Sequence, residues 1–227
     1  MGELKDFLAS FLMPQRLARI RDVLSKRTNH ITVVLEDIYD PHNASAVLRS
    51  CDAMGIQTVH IIQKRHTFQV KEGVSMGTGR WLDLRMHKET SECFDELRKN
   101  GYSIASASPP LPGTVLLPDF QSPGKTAIVL GSEKDGLSPF ARENSDCLIT
   151  IPMFGFAESF NLSVSGAILL YALRSRDGVP GLTTAESEAL ERVVDTHIYN
   201  LRKKLEAAGI SGVLVNVRGV GYRFRQP

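Results

Sequence analysis

The 227-residue chain is predicted to fold as an α/β protein: a parallel sheet with helices on both faces, then a long C-terminal helix and a β-hairpin. Three observations predict this. Short runs of β-branched and leucine residues recur, too uniformly apolar to have a solvated face, as in strands buried on both sides. Segments with helical apolar spacing alternate with them, the pattern of a parallel sheet with crossover helices. Beyond residue 176 a Pro/Gly-punctuated stretch separates a final helix and two short alternating runs from the rest.

In chain order, residues 1–28 read as a basic helical segment, in which Arg16, Arg19, Arg21, Lys26 and Arg27 crowd together with Asp22 as the only acid among them. "NHITVVLEDI" (29–38) reads as the first buried strand, and a helix follows from about Asn43 to Met54. "QTVHII" is a second strand. "KETSECFDELRKNG" is an amphipathic helix stopped by Gly101, with Cys93, Phe94 and Leu97 on one face. "YSIASAS" and "TAIVLG" are further strands, joined by the connection "PPLPGTVLLPDFQSPGK". "CLITIPM" is the fifth strand, and "NLSVSGAILLYALRSR" is a helix with its apolar face at Val164, Ile168, Leu169 and Ala172. This main domain spans 29–176. After the linker "DGVPGLTT", the segment 183–227 holds a helix with an apolar stripe at Val194, Ile198, Leu201 and Leu205, stopped by Gly209. "VLVNVRGVGYRF" closes it as a hairpin or wing.

Composition is that of an ordinary globular protein, 42% hydrophobic and 23% charged. No apolar run reaches the ~18–20 residues that a membrane span needs, and Glu3, Lys5 and Asp6 break any signal-peptide pattern. Cys51, Cys93 and Cys147 are odd in number and widely spaced, so they suggest neither a disulfide framework nor a zinc site. Buried, reduced thiols in a cytoplasmic protein are expected. Net charge is only +2, but the basic clusters at both ends suggest a polyanionic partner; the alternative for each is a solvated face.

Three polar islands fall at strand ends, where ligands bind in open parallel sheets: "YDPHNASAVLR", "LGSEKDGLS" and "IPMFGFAESFNLSVS". "GSEKDG" is not a P-loop, no G-x-G-x-x-G opens a helix, no serine stands in a G-x-S-x-G elbow, and no histidine pair has metal spacing along the chain. Each island also has a bland reading: Asn43 and Asn161 as helix N-caps, Gly131 and Gly136 as turn glycines.

Together and in this order, the islands resemble the three motifs of the SpoU/TrmH class of RNA ribose methyltransferases, within the SPOUT group: Asn43-x5-Arg49, Gly131-x-Glu133-x-x-Gly-Leu-Ser138, and Ile151-Pro-Met followed by Glu-Ser159-Phe160-Asn161-x-Ser-Val. The likeness covers about residues 10–180. "RLARIRDVLSKR" and "GTGRWLDLRMHKE" are nearest the branch that methylates a tRNA D-loop guanosine (Gm18 type). Phe160 departs from that branch, which usually has leucine. The resemblance implies a trefoil-knotted sheet, S-adenosyl-L-methionine as cofactor, RNA (tRNA first) as partner, and a homodimer with helix 162–174 as a plausible face. It implies no metal. Gly131, Ile151 and Phe160 are expected to line the cofactor pocket, with Ser106 and Ala107 at its edge. Arg49 is expected to clamp an RNA phosphate and stabilise the developing alkoxide, since a guanidinium with pKa above ~12 is a poor base. Asn43 is expected to orient the loop at the helix mouth, while Glu133, Ser159 and Asn161 fix Arg49 and the ribose. Glu133 has the alternative of a plain supporting carboxylate.

The C-terminal segment instead resembles the recognition helix and wing of response-regulator winged-helix domains, through Val194-Asp195, His197-Ile198, Leu201-Arg202, Lys204-Leu205 and Arg218-Gly-Val-Gly-Tyr222. Only about 35 residues match, and the sheet and supporting helices of that domain have no room here. A sequence-specific DNA reader is therefore disfavoured. Arg202, Lys203, Lys204 and Arg218, with Arg16, Arg19 and Arg21, are instead expected to contact RNA phosphates; an idle tail is the alternative. The rival functions are a DNA-binding regulator whose front domain senses the cofactor, and an rRNA rather than tRNA methyltransferase.

Overall fold

The computed structural model describes residues 14–69, 79, 81–176, 178–182, 203, 207, 214–217 and 221–224. The chain divides into two compact units, Arg19–Glu186 and a second that joins Met1–Ala18 with Ser187–Pro227. A helix α1 runs over Pro14–Lys26.

The larger unit is built on seven strands: β1 (Ile31–Glu36), β2 (Thr58–Ile62), β3 (Asp83–His87), β4 (Ser103–Ala107), β5 (Val115–Leu116), β6 (Thr126–Leu130) and β7 (Cys147–Thr150). All neighbours pair in parallel, in the order β3-β2-β1-β6-β4-β7-β5. Every residue of β1, β2 and β6 is buried, in keeping with their largely apolar runs. Because side chains alternate along a strand, Val33, Leu35, Ile128 and Leu130 join one core. Val34, Ala127 and Val129 join another. Helices α2 (Pro41–Ala53) and α5 (Leu162–Arg174) cover the first. Helices α3 (Thr90–Lys99) and α4 (Pro139–Asn144) cover the second through Cys93, Phe94, Leu97 and Ala141.

The order places β1 beside β6, although their onward connections lead to opposite halves of the sheet. Such a reversal opens a crevice beyond the carboxyl ends of the two strands, and the loops after β1 and β6 flank it.

Local expectations needed adjustment at five elements. Helix α2 begins at Pro41, with Asp40 as its N-cap accepting from the His42 N–H at 2.8 Å. Asn43 is therefore not the cap but a buried residue of the first turn. Strands β3 and β5 and helix α4 were not foreseen: β3 is a half-exposed edge with alternating charge, and β5 has two residues. Helix α5 buries Leu169 and packs Ile168 and Ala172 on the same core, as expected, but it adds Gly166, Leu170 and Leu173 to that face and leaves Val164 43% exposed. The reason is Gly166. A Cβ there would lie 3.1 Å from Leu130 Cδ1 and 3.5 Å from Val47 Cγ2, so its absence lets α5 settle on β6 and α2 along that line.

Cys51 and Cys93 are buried and Cys147 half-buried, all free; burial pushes the first two thiols up, keeping them protonated. In the smaller unit, β8 (Leu214–Val217) and β9 (Gly221–Phe224) form the antiparallel hairpin, with Leu214 opposite Phe224 and Val217 opposite Gly221. Lys203 and Ala207 are helical, while the stripe Val194, Ile198, Leu201 and Leu205 lies outside the described residues. Among the described residues no helix is long and apolar enough to cross a membrane.

Candidate active site

The loop after β6 is a tight turn. Ser132 and Gly136 exchange two backbone hydrogen bonds, 2.9 and 2.8 Å long. Gly136 takes φ +69°, and a Cβ on Gly131 would come within 2.4–2.5 Å of the Gly136–Leu137 backbone. Glycine at 131 is thus a steric requirement, and at 136 a conformational one. Past the turn, Ser138 caps α4, its hydroxyl accepting from the Ala141 N–H at 3.1 Å. Ser138 also donates twice to the buried Glu36 carboxylate, from its N–H (2.9 Å) and its hydroxyl (2.7 Å). The end of β1 thereby anchors the end of this loop.

The loop after β1 is anchored as firmly. Asp37 has φ +52°, the one positive φ of a non-glycine among the described residues. Its buried carboxylate accepts from the N–H groups of Lys64, Arg65 and His66 (3.2, 2.9 and 3.0 Å) and from Arg65 Nε (2.9 Å). Burial opposes its ionisation, but the Arg65 bond and the three N–H groups outweigh that and hold its pKa at about 2. Arg65 continues to Asp135, at 2.8 Å, on the β6 loop.

A chain of amides joins the three polar islands. Asn43 Nδ2 donates to Glu133 Oε1 at 2.8 Å. Glu133 Oε2 accepts from the Tyr39 N–H at 3.2 Å. Asn161 Nδ2 donates to Asn43 Oδ1 at 3.0 Å. Asn161 Oδ1 in turn accepts from the N–H and hydroxyl of Ser163, at 2.9 and 2.6 Å, as the N-cap of α5. Asn161 is thus both a cap and a bridge.

These loops enclose a cleft of about 660 Å³, within the ~300–1,000 Å³ usual for small-molecule sites. Among the predicted site residues, Asn43, Ala107, Gly131, Glu133, Ile151, Ser159, Phe160 and Asn161 line it. Ser106, expected at its edge, and Arg49, expected as a phosphate clamp, do not. Ser106 is fully buried behind the wall, its hydroxyl 2.5 Å from that of Ser145. Arg49 is exposed on α2, makes no hydrogen bond or ion pair with a described residue, and is not part of the lining. The expected hold of Glu133 and Asn161 on Arg49 is replaced by their bonds to Asn43, Tyr39 and Ser163. The reason is reach: Asn43, in the first turn of α2, faces the β6 loop, and the exposed Arg49 does not. The charged lining also includes Lys134, Asp135, Arg142 and Glu158. Arg142 was missed because it rides on the unforeseen α4.

Arg19 and Arg21 are exposed on α1, and Arg19 pairs with Asp22 at 3.1 Å. Lys203 is exposed; the Arg16 side chain, Arg202, Lys204 and Arg218 lie outside the described residues. Folding does gather one N/S group that spacing along the chain did not reveal, buried His60, His87 and Cys93. The two imidazoles are already bonded to each other, His60 Nδ1 to His87 Nε2 at 2.9 Å.

Residues 30–171, well over half of the chain, match the SpoU rRNA Methylase family. The chain belongs to that family. Among SpoU relatives, the tRNA (guanosine(18)-2′-O)-methyltransferase of Borreliella burgdorferi is 37% identical over 169 residues, 74% of this chain and 77% of that one. The enzyme of the same name from Thermus thermophilus is 36% identical over 157 residues, 69% of this chain and 80% of that one. The crystal structure of the A. aeolicus TrmH/SpoU tRNA modifying enzyme superposes with a TM-score of 0.71 at 27% identity, over 82% of this chain and 96% of that one. Residues 182–224 match a separate family, the C-terminal domain of transcriptional regulatory proteins, in agreement with the winged-helix likeness of the tail.

Proposed function

We propose that the protein transfers a methyl group from S-adenosyl-L-methionine to the ribose 2′-hydroxyl of a tRNA D-loop guanosine, at position 18. The observation that carries this reading is the Glu133–Asn43–Asn161 chain of hydrogen bonds, which holds all three family motifs around one cleft. The names of the relatives support the substrate. The cleft suits the cofactor: apolar walls from Leu130, Leu137, Ile149 and Ile151 for a nucleoside, the exposed backbone of a glycine-shaped turn, and the carboxylates of Glu133, Asp135 and Glu158 for its positive charges.

When bound, the cofactor supplies an electrophilic methyl group on a sulfonium. The residues of the chain hold and orient. Gly131, Ile151, Phe160 and Ala107 line the pocket, with no direct part for Ser106. Asn43, Glu133 and Asn161 set the rigid rim on which the ribose rests, and Ser159 adds a hydroxyl there. Arg49, exposed on a helix, is free to clamp an RNA phosphate and to offset charge on the 2′-oxygen, an electrostatic role. Arg16, Arg19, Arg21, Arg202, Lys203, Lys204 and Arg218 add phosphate contacts. The fold is read as trefoil-knotted, the domains as 1–28, 29–176 and 183–227, the assembly as a homodimer and the location as cytoplasmic. The exposed Val164 and Tyr171 on α5 favour that helix as a dimer face. The reading is tested by mass-spectrometric mapping of 2′-O-methyl nucleotides in total RNA with and without the protein. Gain of 2′-O-methylguanosine at tRNA position 18 is expected. A 2′-O-methyl mark confined to rRNA would move the substrate to the rival class. No new mark, with specific binding of duplex DNA, would favour the regulator.

A further inference from the structure

Tyr39 stands on the loop after β1, two residues beyond Asp37, and is 64% exposed. Other aromatic rings of the chain are exposed too, but this one is held firmly. Its own N–H is bonded to Glu133 Oε2 at 3.2 Å, tying it to the cleft wall. The ring meets His66 edge-on, centroids 5.1 Å apart and planes at 82°. His66 is in turn fixed by its N–H to the Asp37 carboxylate at 3.0 Å. The same carboxylate anchors residues 64 and 65, so two strand-end loops are locked together beneath the ring. A backbone and one neighbouring ring are thus set in advance, while most of the side chain stays open. Lys64 and Arg65 stand on the loop after β2, where Lys64 pairs with Glu89 and Arg65, which is 61% exposed, pairs with Asp37 and Asp135, and Lys134 stands on the loop after β6.

We propose that Tyr39 is a stacking platform for a nucleobase of the RNA substrate, steadied from behind by His66. The inference rests on the RNA methyltransferase reading above and extends it to a contact that sets which nucleotide enters the cleft. A flat, exposed, amphipathic ring braced edge-on by a second ring matches the face of a nucleobase. Base–aromatic stacking is worth about tenfold or more in affinity and tolerates changes of base. The Tyr39 backbone is bonded to Glu133 on the cleft rim, so a base stacked on its ring places its own ribose, or that of its neighbour, toward the mouth of the cleft.

The test is steady-state kinetics of the full-length protein on an unmodified tRNA transcript, with cofactor affinity measured calorimetrically in parallel. Tyr39→Ala is expected to raise KM for the transcript by about tenfold and to leave cofactor affinity unchanged. Tyr39→Phe and Tyr39→Trp, which keep a ring, are expected to stay within about twofold of the wild type. In the Tyr39→Trp protein, adding the transcript is expected to quench the fluorescence of the new indole. A KM for Tyr39→Ala within twofold of the wild type would overturn the proposal. So would a Tyr39→Phe protein as impaired as Tyr39→Ala, since the hydroxyl would then be the working group. A shift of Tyr39→Ala toward a smaller species in sedimentation would show that a second copy covers the ring, and would overturn it as well. A wild-type protein that methylates no RNA would refute the underlying reading instead, which the same experiment reveals before any variant is compared.

Discussion

Replacing Gly131 by alanine probes the cleft at its tightest point. The added Cβ would lie 2.4 Å from the Gly136 carbonyl carbon and 2.5 Å from both its oxygen and the Leu137 nitrogen. All three are backbone atoms, so no rotamer change relieves the clash. An ordinary contact begins near 3.4 Å, so the far side of the turn must retreat by about 1 Å. The paired bonds between Ser132 and Gly136, now 2.9 and 2.8 Å, would then stretch beyond hydrogen-bonding range. Two such bonds are worth ~1–3 kcal/mol together, concentrated in a loop rather than in the core. The fold should survive with a modest fall in Tm, while a wall displaced by ~1 Å should cost on the order of a hundredfold in turnover, along with cofactor affinity. Gly136→Ala is the matched control. It meets open space but must adopt φ +69°, a cost of ~1–2 kcal/mol with no displaced wall. Calorimetric titration of S-adenosyl-L-methionine into both variants, with thermal melts, decides the matter. Equal losses in the two proteins, or wild-type affinity in Gly131→Ala, would refute the steric argument.

Asn43→Asp sets a second carboxylate against Glu133 and should cut turnover by about a hundredfold, ~2.7 kcal/mol; pairing it with Glu133→Gln restores a donor between the two positions and should recover much of the loss in a double-mutant cycle. Arg49→Ala should abolish methyl transfer yet spare cofactor binding, because Arg49 lies outside the cleft, and Arg49→Lys should fail too, lacking the two-pronged fork; equal loss of cofactor affinity would contradict this. His60 is held neutral by burial, with its neighbour His87 adding to the effect, at a pKa of about 4. The unfolded chain therefore takes up a proton below pH ~6.5 that the folded one refuses, so stability should fall between pH 6.5 and 4, by on the order of 1–2 kcal/mol at pH 5 relative to pH 7. Urea melts at the two pH values, with and without His60→Gln, should show the slope and its loss. Asp37 adds a second, more acid loss between about pH 4 and 2, because its ionised form is the one the fold binds.

Much of the site was legible because its residue types answer to local rules. Asn161 does cap its helix, and Gly131 and Gly136 do shape a turn. Asn43 reads as a cap as well, and there the local rule misled: Asp40 and Pro41 supply the helix start, which frees Asn43 for the cleft. Ser106 was placed at the pocket edge by the family resemblance, and the side chain is instead fully buried against Ser145, a contact that the motif does not carry. Tyr39 and Arg65 gave no signal at all, since their significance lies in partners on other loops.

By itself the sequence determined the central strands, the helices between them and the three polar islands at strand ends. Strands buried on both faces are mostly apolar, with the few polar residues such as Glu36 and His60 hydrogen-bonded, and loops that approach a ligand must spend glycine and amide residues to do so. Only the tertiary structure decided that β1 lies beside β6, that Asn43 reaches Glu133 across 90 residues of chain, and that Arg49 stands outside the cleft. Those outcomes depend on strand order and on the direction a helix face takes. Both are set by the packing of the whole sheet, through contacts such as Gly166 against Leu130 and Val47, and no short stretch of residues encodes them.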